Sequence, residues 1–129
     1  MTIMRLIYFI IIISLSLHSQ NEIKSIDFDE YSSLSKSKDF LIVDVRTTEE
    51  HKISRIKNSI NINFYDEKFI NMFKKIDYDK HVLIYRRSGR RSLEAVKILT
   101  DEGFSKLYDL NGGILAVDKL NIDFGSLDD

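Results

Sequence analysis

Hydrophobic and polar positions fall into short blocks of two periodicities. Phe40-Leu41-Ile42-Val43-Asp44-Val45 is an apolar run with one acid inside, and His81-Val82-Leu83-Ile84-Tyr85 is a second run. Runs of this length fit strands covered on both faces, as in a parallel sheet. Residues 22–26, 59–63 and 106–110 supply three further strand candidates. Between them the period lengthens. Asp27 can cap a helix over Phe28–Leu34, with Glu30 three residues on as in a capping box. Thr47 or Thr48 can cap a short helix through His51. Residues 66–76 place Phe69, Ile70, Phe73 and Ile76 on one helical face. Residues 92–102 form an amphipathic helix with Leu93, Val96 and Leu99 toward the core, stopped by Gly103. Asn111-Gly112-Gly113 is a turn, and residues 114–120 are expected to form a last helix. Strands that alternate with helices predict one α/β domain with a mainly parallel sheet.

The N-terminus follows a different pattern. Arg5 precedes twelve mostly apolar residues, 6–17. A membrane-spanning helix needs about 20 such residues, whereas the core of a secretory signal needs about 7–15. Residues 1–19 are therefore expected to be a signal peptide cut after Ser19, leaving residues 20–129 as the domain; an uncleaved anchor is the alternative. The expected location is periplasmic or secreted, with membrane contact only through residues 6–17 if the signal is retained.

Composition narrows the chemistry. The 129 residues carry 19 basic and 20 acidic side chains and no cysteine. The missing cysteine excludes disulfides, thiolate metal sites and thiol nucleophiles. With few histidines and no ligand spacing, no metal or other cofactor is expected. The balanced charge, and the lack of aromatics interleaved with the arginines, argue against nucleic acid as a partner.

The polar segment after Tyr85 reads Arg86-Arg87-Ser88-Gly89-Arg90-Arg91, between a buried strand and a helix start. Such a turn points backbone N–H groups inward and adds the partial positive charge of the helix, a setting that favours an anion. Ser88 would need a base within reach to act as a nucleophile. His81 opens its strand, at the end away from the loop, and no motif brings His51 near. Arg86 admits two readings. It strengthens an anion site together with Arg87, Arg90 and Arg91, or it folds into the pocket and pairs with Asp44. Arg46 is expected to pair locally with Glu49 or Glu50, and Asp44 and Asp109 to be hydrogen-bonders at strand ends.

Three segments together resemble the single-domain rhodaneses. They are Leu41-Ile42-Val43-Asp44-Val45-Arg46-Thr47 with Glu49-Glu50, the segment Val82 to Ser92, and Gly103-Phe104 with Leu107-Tyr108-Asp109-Leu110-Asn111-Gly112-Gly113-Ile114. The resemblance spans about residues 22–120. It implies a doubly wound α/β domain with a five-stranded parallel sheet and helices on both faces. It also implies a loop whose first residue is a cysteine, carrying sulfur as a persulfide between a donor such as thiosulfate and an acceptor. That position is Arg86 here, while Arg87, Ser88, Gly89 and Arg91 match the rest of the loop. Departures occur elsewhere. The usual Gly-His-Ile-Pro-Gly-Ala is Ser54-Arg55-Ile56-Lys57-Asn58-Ser59, and a usual tryptophan is Val117. A guanidinium has five N–H donors and no nucleophilic pair, so it cannot carry sulfane sulfur. The sequence thus predicts an exported domain without sulfurtransferase activity. It would act as a binding or regulatory module for an oxyanion (thiosulfate, sulfate or phosphate) or for a protein, through residues 86–91 supported by Asp44 and Arg46. The alternative is a sulfurtransferase that borrows a thiol from a partner chain.

Overall fold

The structure, a computed structural model, describes residues 3, 23–88 and 92–126. The expected signal segment, apart from Ile3, and the site residues Gly89, Arg90 and Arg91 lie outside the described residues. Among the described residues no helix is long and apolar enough to cross a membrane.

The first strand, β1 (Lys24–Ile26), leads into α1 (Phe28–Leu34). Asp27 caps this helix by accepting from the Glu30 amide at 2.8 Å, which satisfies one of the donors a helix start leaves open. Strand β2 (Phe40–Asp44) is followed by α2 (Thr48–Ile53), capped by Thr47. After β3 (Ser54–Ile56) and β4 (Ile60–Asn61) come α3 (Phe69–Phe73), β5 (His81–Tyr85), α4 (Ser92–Asp101) and β6 (Leu107–Leu110). Two 3₁₀ turns, Gly113–Ala116 and Lys119–Asn121, precede β7 (Ile122–Phe124).

The main sheet has five strands in the order β1-β6-β5-β2-β4, and every pairing is parallel. Alternate residues of one strand feed opposite faces. Val43, Val45, Val82 and Ile84 pack with Phe69 and Phe73 of α3 and with Ala95, Val96 and Leu99 of α4. Ile42, Leu83, Tyr85, Tyr108 and Leu110 pack on the other face with Ile56, Ile114 and Ile122, and with Phe28, Tyr31 and Leu34 of α1. The α/β class, the five-stranded parallel sheet and helices on both faces are thus as expected. From β2 the chain moves outward to β4, and from β5 it moves the other way to β6. The carboxyl ends of β2 and β5, where Asp44 lies opposite Tyr85, flank the point where sheet order reverses. Crevices at such points are where open α/β sheets place ligands.

Several local expectations are corrected. The helix expected over 66–76 is regular only over Phe69–Phe73. Asp66 closes a turn before it, accepting from the Lys68 amide at 2.8 Å. Leu93 does not face the core. The buried face of α4 is Ser92, Ala95, Val96 and Leu99, and Leu93 lies on the solvent side. That face keeps helical spacing but begins with a hydroxyl, which an apolar count passes over. The expected helix at 114–120 is the two 3₁₀ turns. Val117 is extended and buried between them, and Asp118 caps the second by accepting from the Leu120 amide at 3.1 Å. The antiparallel β3-β7 pair has no counterpart in the sequence pattern; each partner is only three residues long.

Candidate functional site

Arg86 is the first residue after β5, and its backbone is fixed from a distant part of the chain. The Ile114 amide donates to the Arg86 carbonyl at 2.8 Å, and the Leu115 amide donates to the Arg87 carbonyl at 3.3 Å. This approach needs Gly113. A Cβ there would lie 2.3 Å from the Arg86 carbonyl oxygen and 2.5 Å from that of Arg87, and the residue has φ +60°, where side chains are strained. The Gly112-Gly113 turn is thus a buttress for the start of the loop.

The Arg86 side chain turns inward and is only 7% exposed. Its guanidinium carbon lies 5.2 Å from the centre of the Tyr65 ring and 6.0 Å from that of Phe64. Its Nη2 donates to the Tyr65 hydroxyl at 3.0 Å. Nη1 is buried and has no hydrogen-bond partner. The expected pairing with Asp44 is not formed: among the described residues Arg86 makes no ion pair. The Arg86 side chain is thus folded inward against an aromatic pair and not against the carboxylate.

Asp44 is fully buried and already engaged. Its Oδ1 accepts from the Arg46 backbone amide at 2.9 Å and from Arg46 Nε at 3.0 Å. Its Oδ2 accepts from Arg46 Nη2 at 2.7 Å and from the Tyr85 hydroxyl at 3.0 Å, and lies 2.9 Å from His51 Nδ1. Arg46 Nη2 also donates to the Ser54 carbonyl. The expected pairing of Arg46 with Glu49 or Glu50 is thus wrong: these acids serve the first turn of α2, and the buried carboxylate takes the guanidinium. Burial opposes the charge on Arg46, but its bonds to Asp44 raise its pKa above the ordinary value. Burial, with the neighbouring Asp44 charge, pushes the Tyr85 phenol up to about 12. Tyr85 passes the network on, accepting from the Ile56 amide at 3.1 Å and meeting Ser59 Oγ at 3.0 Å. Asn61 Nδ2 donates to the backbone carbonyls of Asp44 and Arg46. Asp44 and Arg46 therefore lock β2, β3, β4, β5 and α2 together beneath the site and do not line it.

Asp109, near the end of β6, accepts from Ser92 at the start of α4 and from Ser25 Oγ of β1 at 3.3 Å. Burial raises its pKa, against these two hydrogen bonds. It is a strand-end acceptor that ties the far end of the loop to the sheet, as expected. Arg87 and Ser88 are exposed, and Ser88 makes no hydrogen bond among the described residues. His51 is held on Asp44, and His81 Nδ1 sits 3.2 Å from the Tyr108 hydroxyl at the opposite end of β5. No base among the described residues is thus joined to Ser88. Among the described residues no group of acids and histidines could hold a metal ion. Sequence reasoning missed Phe64 and Tyr65. They follow β4 in an irregular segment, where no periodicity marks a residue as facing the loop.

Comparison with known proteins agrees with this geometry. The chain is 33% identical over 97 residues to a tRNA uridine(34) hydroxylase of Cytophaga hutchinsonii, covering 71% of this chain but only 30% of that protein. The chain thus spans about a third of the hydroxylases it matches. It is 32% identical over 95 residues to a sulfurtransferase of Allochromatium vinosum, covering 73% of this chain and 87% of the relative. Among solved structures, a rhodanese-like domain protein from Staphylococcus aureus superposes with a TM-score of 0.69 at 28% identity, covering 81% of this chain and all of that one. The rhodanese-like domain family model matches residues 27–119. With its parallel five-stranded sheet and a loop that opens at position 86, this chain belongs to the rhodanese-like domain family.

Proposed function

We propose that this protein is an exported, non-catalytic member of its family, a binding or regulatory module that uses the loop opening at Arg86. The observation that carries this reading is the guanidinium buried where active relatives need a nucleophile, in a chain with no cysteine at all. A guanidinium binds oxygens but does not attack sulfur. Asp44, Arg46 and Tyr85 do not supply the missing chemistry, because each is spent on the others. The buttressed backbone at Arg86 and Arg87 suits a site kept in shape after its chemistry is gone. Export is inferred from residues 6–17 alone. The experiment is a sulfur-transfer assay from thiosulfate to cyanide on the full chain, with Arg86→Cys beside it. The expected result is no turnover by the wild type and measurable turnover by the variant. Turnover by the wild type alone in solution would refute the reading. Turnover only when a thiol-bearing protein is added would favour a sulfurtransferase that borrows its sulfur carrier.

A further inference from the structure

Among the described residues two arginines are buried, with different surroundings. Arg46 meets a carboxylate through both Nε and Nη2, and Nη2 also reaches a carbonyl. Arg86 has two ring faces, one phenol oxygen and a bare Nη1. A buried cation ordinarily finds a counter-charge, and a buried N–H an acceptor. Among the described residues Arg86 has no counter-charge and its Nη1 no acceptor, although the residue is more than nine-tenths buried. Its Nη2 rests on a neutral phenol oxygen, a weaker acceptor than an anionic one. The ring that supplies this oxygen is 57% exposed, and exposed side chains commonly change rotamer. Arg87 and Leu115, joined by a backbone hydrogen bond next to Arg86, are both exposed.

We propose that Arg86 is the anchor of an oxyanion site in which the Tyr65 hydroxyl holds the place of an anionic oxygen and is displaced by the ligand. The inference rests on the reading of this domain as a binding module and names what that module takes. Nη1 and Nη2 together form a fork for two oxygens on one centre. The matching class is a carboxylate or a tetrahedral oxyanion. A tetrahedral ligand would be a free inorganic ion, and a carboxylate would come from an acidic side chain of a protein partner. The Phe64 ring, 6.0 Å from the guanidinium carbon, stays beside the fork when Tyr65 leaves it.

The test is calorimetric titration of the full chain at constant ionic strength, with thiosulfate, sulfate and phosphate in one arm and acetate and an acidic hexapeptide in the other. Saturable one-to-one binding is expected in one arm, and which arm responds assigns the source. Tyr65→Phe removes the competing oxygen and is expected to tighten binding about fivefold, the worth of one ordinary hydrogen bond. Arg86→Gln is expected to abolish saturation. Arg86→Lys is expected to weaken binding about tenfold or more, because an ammonium keeps the charge without the fork. Absence of saturation in both wild type and Tyr65→Phe overturns the site. Unchanged binding in folded Arg86→Gln moves the anion elsewhere and also overturns it. Affinity unchanged by Tyr65→Phe refutes the displacement. Sulfur-transfer activity in the wild type would refute the non-catalytic reading by a separate measurement, whatever the titration shows.

Discussion

Replacing Asp44 with alanine tests whether the buried network holds the end of the sheet together. The carboxylate is fully buried and accepts from Arg46 three times, through the backbone amide, Nε and Nη2, and once from Tyr85. His51 Nδ1 lies against it as well. Its removal leaves the Arg46 guanidinium, itself only 4% exposed, with the Ser54 carbonyl as its remaining described acceptor. Breaking a buried pair on one side costs about 3–5 kcal/mol, because the other charge stays desolvated. A small domain has roughly 5–15 kcal/mol of stability in total, so the loss is about a fifth of it or more. Urea unfolding of wild type, Asp44→Ala, Arg46→Met and the double variant gives the cycle. The double variant is expected to be more stable than Asp44→Ala by about 2 kcal/mol, since it no longer buries a lone cation. A loss below about 1 kcal/mol in Asp44→Ala, or a double variant no more stable than that single one, would refute the account of a buried charge in need of its partner.

Two other outcomes follow from the same geometry. Gly113→Ala is expected to cost roughly 3 kcal/mol or more, from strain at positive φ and from collision with two carbonyls. Gly103→Ala, also at positive φ but with its nearest neighbour, Tyr78 Cε1, at 3.9 Å, should cost only about 1 kcal/mol; equal losses in urea would show that the buttress is not tight. The Tyr85 phenol has its pKa raised to about 12 in the folded chain. Stability from this group is therefore held below pH 10 and lost as pH rises toward 12. The loss is roughly 2–3 kcal/mol, absent in Tyr85→Phe when unfolding is followed across that range.

Much of the architecture is legible because buried strands announce themselves. The runs ending at Val45 and Tyr85 have no polar face to offer water, so a sheet covered on both sides is their only comfortable setting. The capping signals at Asp27 and Thr47 are equally local and equally readable. What the pattern hides is which charge meets which. Glu49 and Glu50 follow Arg46 at helical spacing, yet Asp44, just before it on the strand, wins because a buried carboxylate cannot be left alone. Arg86 and Tyr65 are 21 residues apart, and only the sheet order brings them together. Helix faces that begin with a polar residue mislead in the same way: Ser92 looks like surface until Asp109 claims its hydroxyl. Short segments such as β7 carry no signal of their own, since the pairing that defines them is with β3, far off in sequence.

The contacts from Gly113, Ile114 and Leu115 grip the peptide backbone at positions 86 and 87 and no side chain there. The loop entrance is in effect a socket whose shape does not depend on what is plugged into it. A cysteine, a serine or a metal-binding histidine at position 86 would inherit the same backbone path, because none of the gripping hydrogen bonds would be lost. Chemistry at this point is therefore separable from folding. The domain can be used as a frame into which different reactive groups are exchanged one residue at a time.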